Sequence, residues 1–352
     1  MSWYVVDAVD SAFKRTKKSL LEPFDFWKWM KLALIVFLGA GSPFLSNSTG
    51  SGGSFDDPEM NAELSSAFDS FVNFVTSDQY FSLIVTAIIL LLVVLVLFAY
   101  IRNVMEYVFV DSLVSNEVKL REYFRNYLGK GFWLFIFRLL VAVAVIVLAI
   151  IMVIPVLLLM IGTAESESLI GFMFSLLLLV VAIIMAAVIS GALNSFINLS
   201  IPVSMYGSKS ISAAFSQVLR TFRNDWKQIV LYWIGRAVLR IAVGIAVGIV
   251  AIVVAVILLV ILGIVDLALY YIFEPVLSDP GIIIWSMAGI IVFLELLFLI
   301  FIVSIIEMPG KVFLKYHMLT FMQHWYLEME IPMFDKEQKK LENTYETYQA
   351  VE

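Results

Sequence analysis

The sequence predicts an all-α, polytopic membrane protein: six transmembrane helices in three hairpin units, each preceded by an interfacial amphipathic helix. Three observations carry that expectation. Of 352 residues, 62% are hydrophobic and 15% are charged, whereas a soluble domain carries about 25% charged residues. Six apolar runs reach or approach the roughly 20 residues that cross a bilayer as a helix. The 23 Lys and Arg residues are absent from 32–101, 139–208 and 241–310, an alternation that follows the positive-inside rule.

The candidate spans cover about 28–45, 80–101, 132–161, 171–191, 228–262 and 282–306. They lie in a single membrane domain over 1–335, followed by a mobile cytoplasmic tail at 336–352. Basic residues cluster at the amino end, in 102–138, in 209–240 and after 310. Both termini are therefore expected in the cytoplasm of a multi-pass cell-membrane protein, with outer loops near 46–79, 162–170 and 263–281. Asp56, Asp57, Glu59, Glu63, Asp69 and Asp78 make the first loop acidic, and Asn47-Ser48-Thr49 places a glycosylation sequon in it. Leu64, Phe68, Phe71, Val72 and Val75 have the spacing of a short amphipathic helix.

Ahead of the first span, Trp3, Val6, Val9, Phe13 and Leu20 recur at helical spacing, with Lys14, Arg15, Lys17 and Lys18 toward one end. The pattern fits an interfacial helix on the cytoplasmic leaflet or a helix packed on another part of the protein. Phe124-Arg125-Asn126 with Arg138, and Phe222-Arg223-Asn224 with Arg236, match at an offset of 98 residues. Each follows an amphipathic stretch, the first with Leu120, Tyr123 and Tyr127, the second with Ile211, Phe215 and Val218. This echo is the basis for three parallel units. The fifth run, about 35 residues or roughly 52 Å as a helix, exceeds the bilayer and is expected to tilt, project or bend, with Gly244, Gly248 and Gly263 as candidate bend sites. Pro202 and Pro309 are expected to stop or redirect helices past the even-numbered spans, where Glu106, Asp111 and Glu307 also lie.

Charges within spans supply the site expectations, since hydrocarbon penalises each by about 2.5–3.5 kcal/mol on insertion scales. Arg138 and Arg236 lie shallow enough to snorkel to lipid phosphates or simply to fix topology. Arg240 lies one turn deeper and Glu295 midway along the last span, so they are expected either to pair near the midplane or to face separate polar crevices. Gly244 and Gly248 form a GxxxG face expected to pack against another helix of the chain. His317, His324 and Glu328 share spacing compatible with one helix face, more in keeping with a cytoplasmic amphipathic helix than with a metal site.

The opening Met1-Ser2-Trp3-Tyr4-Val5-Val6-Asp7-Ala8-Val9-Asp10, followed by Pro23-Phe24-Asp25, resembles an uncharacterised archaeal family of multi-span membrane proteins. The three-hairpin layout is more distantly similar to the membrane domain of some bacterial glycerophosphodiester phosphodiesterases. The resemblance implies a prokaryotic cell membrane; it transfers no catalytic residue, because the phosphodiesterase chemistry belongs to a soluble domain. With no cysteine and two histidines, no catalytic constellation, metal site or cofactor is expected. The expected partners are membrane lipids and a protein partner or second copy, not nucleic acid. The leading functional expectation is a non-enzymatic protein engaging the inner leaflet in membrane organisation or as a partner-binding module. The alternative is a channel or transporter built around Arg240 and Glu295.

Overall fold

A computed structural model describes residues 4–40, 78–166, 168–273, 282–326 and 329–335. Among these residues there are eight α-helices: α1 Tyr4–Leu20, α2 Phe26–Ile35, α3 Asp78–Ser115, α4 Leu120–Glu165, α5 Leu169–Tyr206, α6 Ile211–Asn224, α7 Trp226–Phe273 and α8 Ile282–Trp325. A π-helical turn, Val36–Ala40, extends α2. Five helices, α3, α4, α5, α7 and α8, are long and apolar enough to cross a membrane. The chain is thus a multi-pass, all-helical membrane protein. The acidic loop with Asn47 and its expected amphipathic helix, the tail from Lys336 onward and Glu328 lie outside the described residues.

The long helices run well past the apolar stretches that announce them. α4 has 46 residues and α7 has 48, about 70 Å each against a hydrocarbon thickness of about 30 Å. One end of every long helix is buried by protein, and on α4, α7 and α8 that end is basic; the other is apolar and exposed. At the basic end Tyr107, Leu134, Leu199, Ile229, Val312 and Phe321 are almost fully buried. Toward the far end Leu90, Ile151, Ile184, Ile252 and Phe293 are exposed, as side chains that face lipid should be. The hydrophobic effect assembles the first region, where water is the competing solvent, and contributes nothing to helix association in the second.

The amphipathic stretches before the spans do not share one structure. α1 buries Val5, Ala8, Ala12 and Leu20 on one face, crossing α8 with Val5 at His317 and Arg15 at Thr320. It leaves Val6 and Phe13 exposed, so a helix packed on the protein also presents an apolar strip outward. The stretch around Tyr123 is continuous with its span in α4. The corresponding stretch in the 98-residue echo forms a separate helix, α6, with the Ser210 hydroxyl accepting from the Ala213 N–H at its start and a break at Asp225. The echo in sequence therefore does not extend to the local fold.

Pro202 and Pro309 do not end their helices, contrary to expectation; both lie inside, in α5 and α8. An interior proline removes one backbone hydrogen bond at a cost of about 3 kcal/mol. Here Ile201, Val203 and Met308 are fully packed beside the prolines, and tertiary burial holds the helix through the defect. The first expected span is described only to Ala40. It runs antiparallel to α3, with the Lys28 ammonium donating to Asn116 Oδ1 at 2.7 Å and Gly39 against Met105.

Close approach of α3 and α4 depends on Gly131, where an added Cβ would collide with the side chain and backbone of Val104. Gly244 and Gly248 meet nothing within 4 Å of the equivalent position. Among the described residues nothing packs on their GxxxG face, contrary to the expectation of internal packing. The close glycine between α7 and α8 is Gly310, which faces Val243 and Val247. Gly131→Leu should lower stability in detergent by about 2–3 kcal/mol through overpacking. Gly244→Leu should change it by less than about 0.5 kcal/mol, as read by thermal unfolding of the two variants.

Candidate functional site at the membrane boundary

The buried core meets the lipid-facing stretches at a ring of charges. Arg102 and Glu106 come from α3, Arg138 from α4, Arg236 and Arg240 from α7, and Glu307, Lys311 and Lys315 from α8. Asn103 and Glu106 are three residues apart on α3, which puts both on one helix face. Asn198 approaches the same point from α5, and Arg138 from α4.

Arg138 joins them. Its Nη1 donates to Asn103 Oδ1 at 2.8 Å and to Glu106 Oε1 at 2.9 Å. Its Nη2 donates to Glu106 Oε2 at 2.8 Å and to Asn198 Oδ1 at 2.9 Å. This is a bidentate ion pair with two amides completing it, between side chains 20% and 14% exposed, a geometry only the planar guanidinium supplies. The Asn103 amide nitrogen donates in turn to the Ala99 carbonyl at 2.7 Å, which orients the oxygen toward Arg138. The expected lipid-phosphate role of Arg138 does not survive this arrangement, because the terminal nitrogens point into the protein. Three helices are fastened by one side chain.

The α7–α8 side of the ring is organised differently. Tyr232 is buried, stacks on Phe321 with centroids 4.3 Å apart and lies parallel to His317. Its hydroxyl accepts from Arg236 Nη1 at 2.5 Å, and the same nitrogen lies 3.5 Å from the Leu314 carbonyl. Among the described residues the acceptors of Arg236 are thus neutral. Lys315, next in sequence to Leu314, lies within electrostatic range of Glu106, Arg236 and Arg138, with its one carboxylate neighbour already held by Arg138. Arg240 is exposed one turn beyond Arg236, and Arg236 is its charged neighbour.

Arg240 and Glu295 do not pair. α7 and α8 run antiparallel with Arg236 level with Leu314 and Val243 level with Gly310, so Arg240 lies between these levels. Glu295 is at least 15 residues further along α8, about 22 Å at helical rise. Its charged neighbour is Asp266, within side-chain hydrogen-bond reach. Counting along each apolar run gives a position on one helix but not the register of α7 against α8, which separates the two residues.

Both histidines serve packing. His317 Nε2 lies 3.1 Å from the Val5 carbonyl, and His324 Nδ1 lies 2.8 Å from the Thr320 carbonyl with its ring stacked on Tyr4. Asp111, expected at a wet helix end, is half-buried and accepts from the Tyr127 hydroxyl at 3.0 Å. The residues that sequence reasoning passed over are Asn103, Asn198 and Lys315. The signal for the first two was an amide at the same apparent depth as Arg138 on each neighbouring helix.

The sequence profile of a family of unknown function, DUF7544, matches residues 3–331. The chain belongs to this family. The match covers all five long helices and both short helices at the amino end, so the DUF7544 unit includes the packed basic end as well as the lipid-facing region. No curated protein and no solved structure matches the chain.

Arg138→Gln should destabilise this family member by about 3 kcal/mol, since it leaves Glu106 buried without its counter-charge. Arg138→Met combined with Glu106→Met should recover most of that loss, both read as thermal unfolding in detergent. Equal loss in the single and double variants would show that the ion pair is not what joins α3 and α4.

Proposed function

We propose that the protein is a non-enzymatic component of a prokaryotic, archaeal-type cell membrane, with both termini cytoplasmic. On this reading its packed basic end forms a platform against the inner leaflet for membrane organisation or for a protein partner. The observation that supports it is the division of the chain into two regions. A tightly packed, basic end rests on one side of a ring of charges, and helices whose apolar faces are open to lipid or to a second copy extend from the other.

Six crossings fit this reading better than five. The α2 segment heads from the basic end toward the far end beside α3, and α3 begins at the far end. With the expected first span, 28–45, as the sixth crossing, the chain has three hairpins. The open Gly244–Gly248 face is the part of α7 best suited to a second copy, since small residues permit close helix approach.

A channel or transporter is the second reading, and one observation favours it: Asp266 and Glu295 set two carboxyls beside each other in an otherwise apolar stretch. Ionisable groups at such depth are functional candidates by default. Against it stands the absence of a continuous polar path from this pair to Arg240 among the described residues.

The chain has no cysteine, so single introduced cysteines report topology directly. In intact cells, Ser54→Cys and Ser166→Cys should react with a membrane-impermeant maleimide, while Ser212→Cys should react only after lysis. Labelling of Ser212→Cys in intact cells would reverse the orientation; protection of Ser54→Cys would remove the sixth crossing. In proteoliposomes, the protein should pass cations no faster than protein-free vesicles. A flux lost on Glu295→Gln would replace the platform reading with the transport one.

A further inference from the structure

We propose that Arg236, Arg240 and Lys315 form a binding site for the phosphate of an anionic phospholipid at the basic boundary of the membrane. The inference deepens the platform reading by naming the lipid chemistry and the residues that would receive it.

The ring at this boundary gathers six cations around two carboxylates. Glu106 is held by both terminal nitrogens of Arg138, and Glu307 lies 2.9 Å from the Lys311 ammonium. Both acids are thereby engaged. Arg236 donates to a tyrosine hydroxyl and approaches a backbone carbonyl, neither of which carries a compensating charge. Lys315 and Arg240 have electrostatic neighbours but, among the described residues, no hydrogen bond to a carboxylate. Arg236 and Arg240, four apart on one helix, repel each other, and Arg236 repels Lys315.

Like charges kept together at the edge of hydrocarbon require an anion, because water is too scarce there to screen them. The anion is expected from the bilayer, not from solution, because of where Arg240 lies. Val238 and Ile241 beside it are 61% and 63% exposed, and these are lipid-facing positions of α7. An arginine with its stem among such neighbours extends its head toward the phosphate layer. Tyr232, immobilised between Phe321 and His317, fixes one edge of the Arg236 guanidinium and leaves its other donors for the ligand. The arrangement is two guanidinium forks one turn apart with an ammonium on the adjacent helix, which suits a tetrahedral oxyanion.

The full chain, purified in detergent, would be titrated with phosphatidylglycerol, with phosphatidylcholine and with inorganic phosphate, and bound lipid counted by native mass spectrometry. Phosphatidylglycerol should be retained in preference to phosphatidylcholine. Each basic residue near an anionic surface contributes about fivefold in affinity, so Arg240→Gln should weaken retention about fivefold and Arg236→Gln with Arg240→Gln about thirtyfold. Arg236→Lys with Arg240→Lys, which preserves the charges and guards against a folding defect, should keep most of the preference. Arg125→Gln, an exposed charge on α4, should leave it intact. Unchanged retention in the double glutamine variant, an equal loss in Arg125→Gln, or equal protection by inorganic phosphate would overturn the proposal. None of these results bears on the cysteine labelling pattern, so the orientation would stand or fall separately.

Discussion

An arginine at the edge of hydrocarbon must have its charge and its hydrogen-bond donors answered locally, and the way Arg138 is answered organises the molecule. Its four hydrogen bonds reach α3 and α5 from α4. They hold together the three helices that carry much of the buried core, with Tyr107, Leu134 and Leu199 from the same three. Beyond this point toward the far end, most of the described apolar side chains face outward, with Ser175 and Ala182 of α5 among the few that are buried. Below it, side chains such as Tyr107, Leu134 and Phe321 are buried as fully as in a soluble domain. The ion pair therefore stands at the change of solvent, where a half-satisfied charge would be most costly.

The two sides of the ring answer the same physical problem in opposite ways. On the α3–α4–α5 side the cation meets a carboxylate and two amides of the protein. On the α7–α8 side Arg236, Arg240 and Lys315 accumulate while the two acids of the ring, Glu106 and Glu307, are engaged by Arg138 and Lys311. A closed site makes stability; an open one makes affinity for something outside the chain. The aromatic stack of Tyr232, Phe321 and His317 supplies the rigidity that keeps the open side from collapsing inward.

The class was legible in the sequence because hydrocarbon tolerates so few alternatives. Long runs without Lys or Arg, punctuated by basic clusters, leave little choice but a helical multi-pass protein. Helix ends were not legible, since an apolar run records the thickness of the lipid and not where a helix stops; α4 and α7 continue into the core with charged residues on them. Nor was the register between α7 and α8 legible, which puts Glu295 beside Asp266 and not Arg240. Pro202 and Pro309 misled for the opposite reason: local propensity was overridden by neighbours distant in sequence. At the site, Arg138 was visible as a buried charge, but its partners could be named only once α3 and α5 were in register with α4.

The contact between α1 and α8 joins the first described helix to the last, Val5 to His317 across 312 residues. During synthesis at about 5–20 residues per second, α1 leaves the ribosome and then waits for roughly 15 to 60 seconds before its partner exists. Throughout that interval the face bearing Val5, Ala8 and Ala12 has no α8 to cover it, while the intervening spans are inserted one after another. The packed end can close only when the final helix is delivered. Completion of the core is thereby tied to delivery of the last described helix, and the oldest part of the chain is packed by one of the youngest.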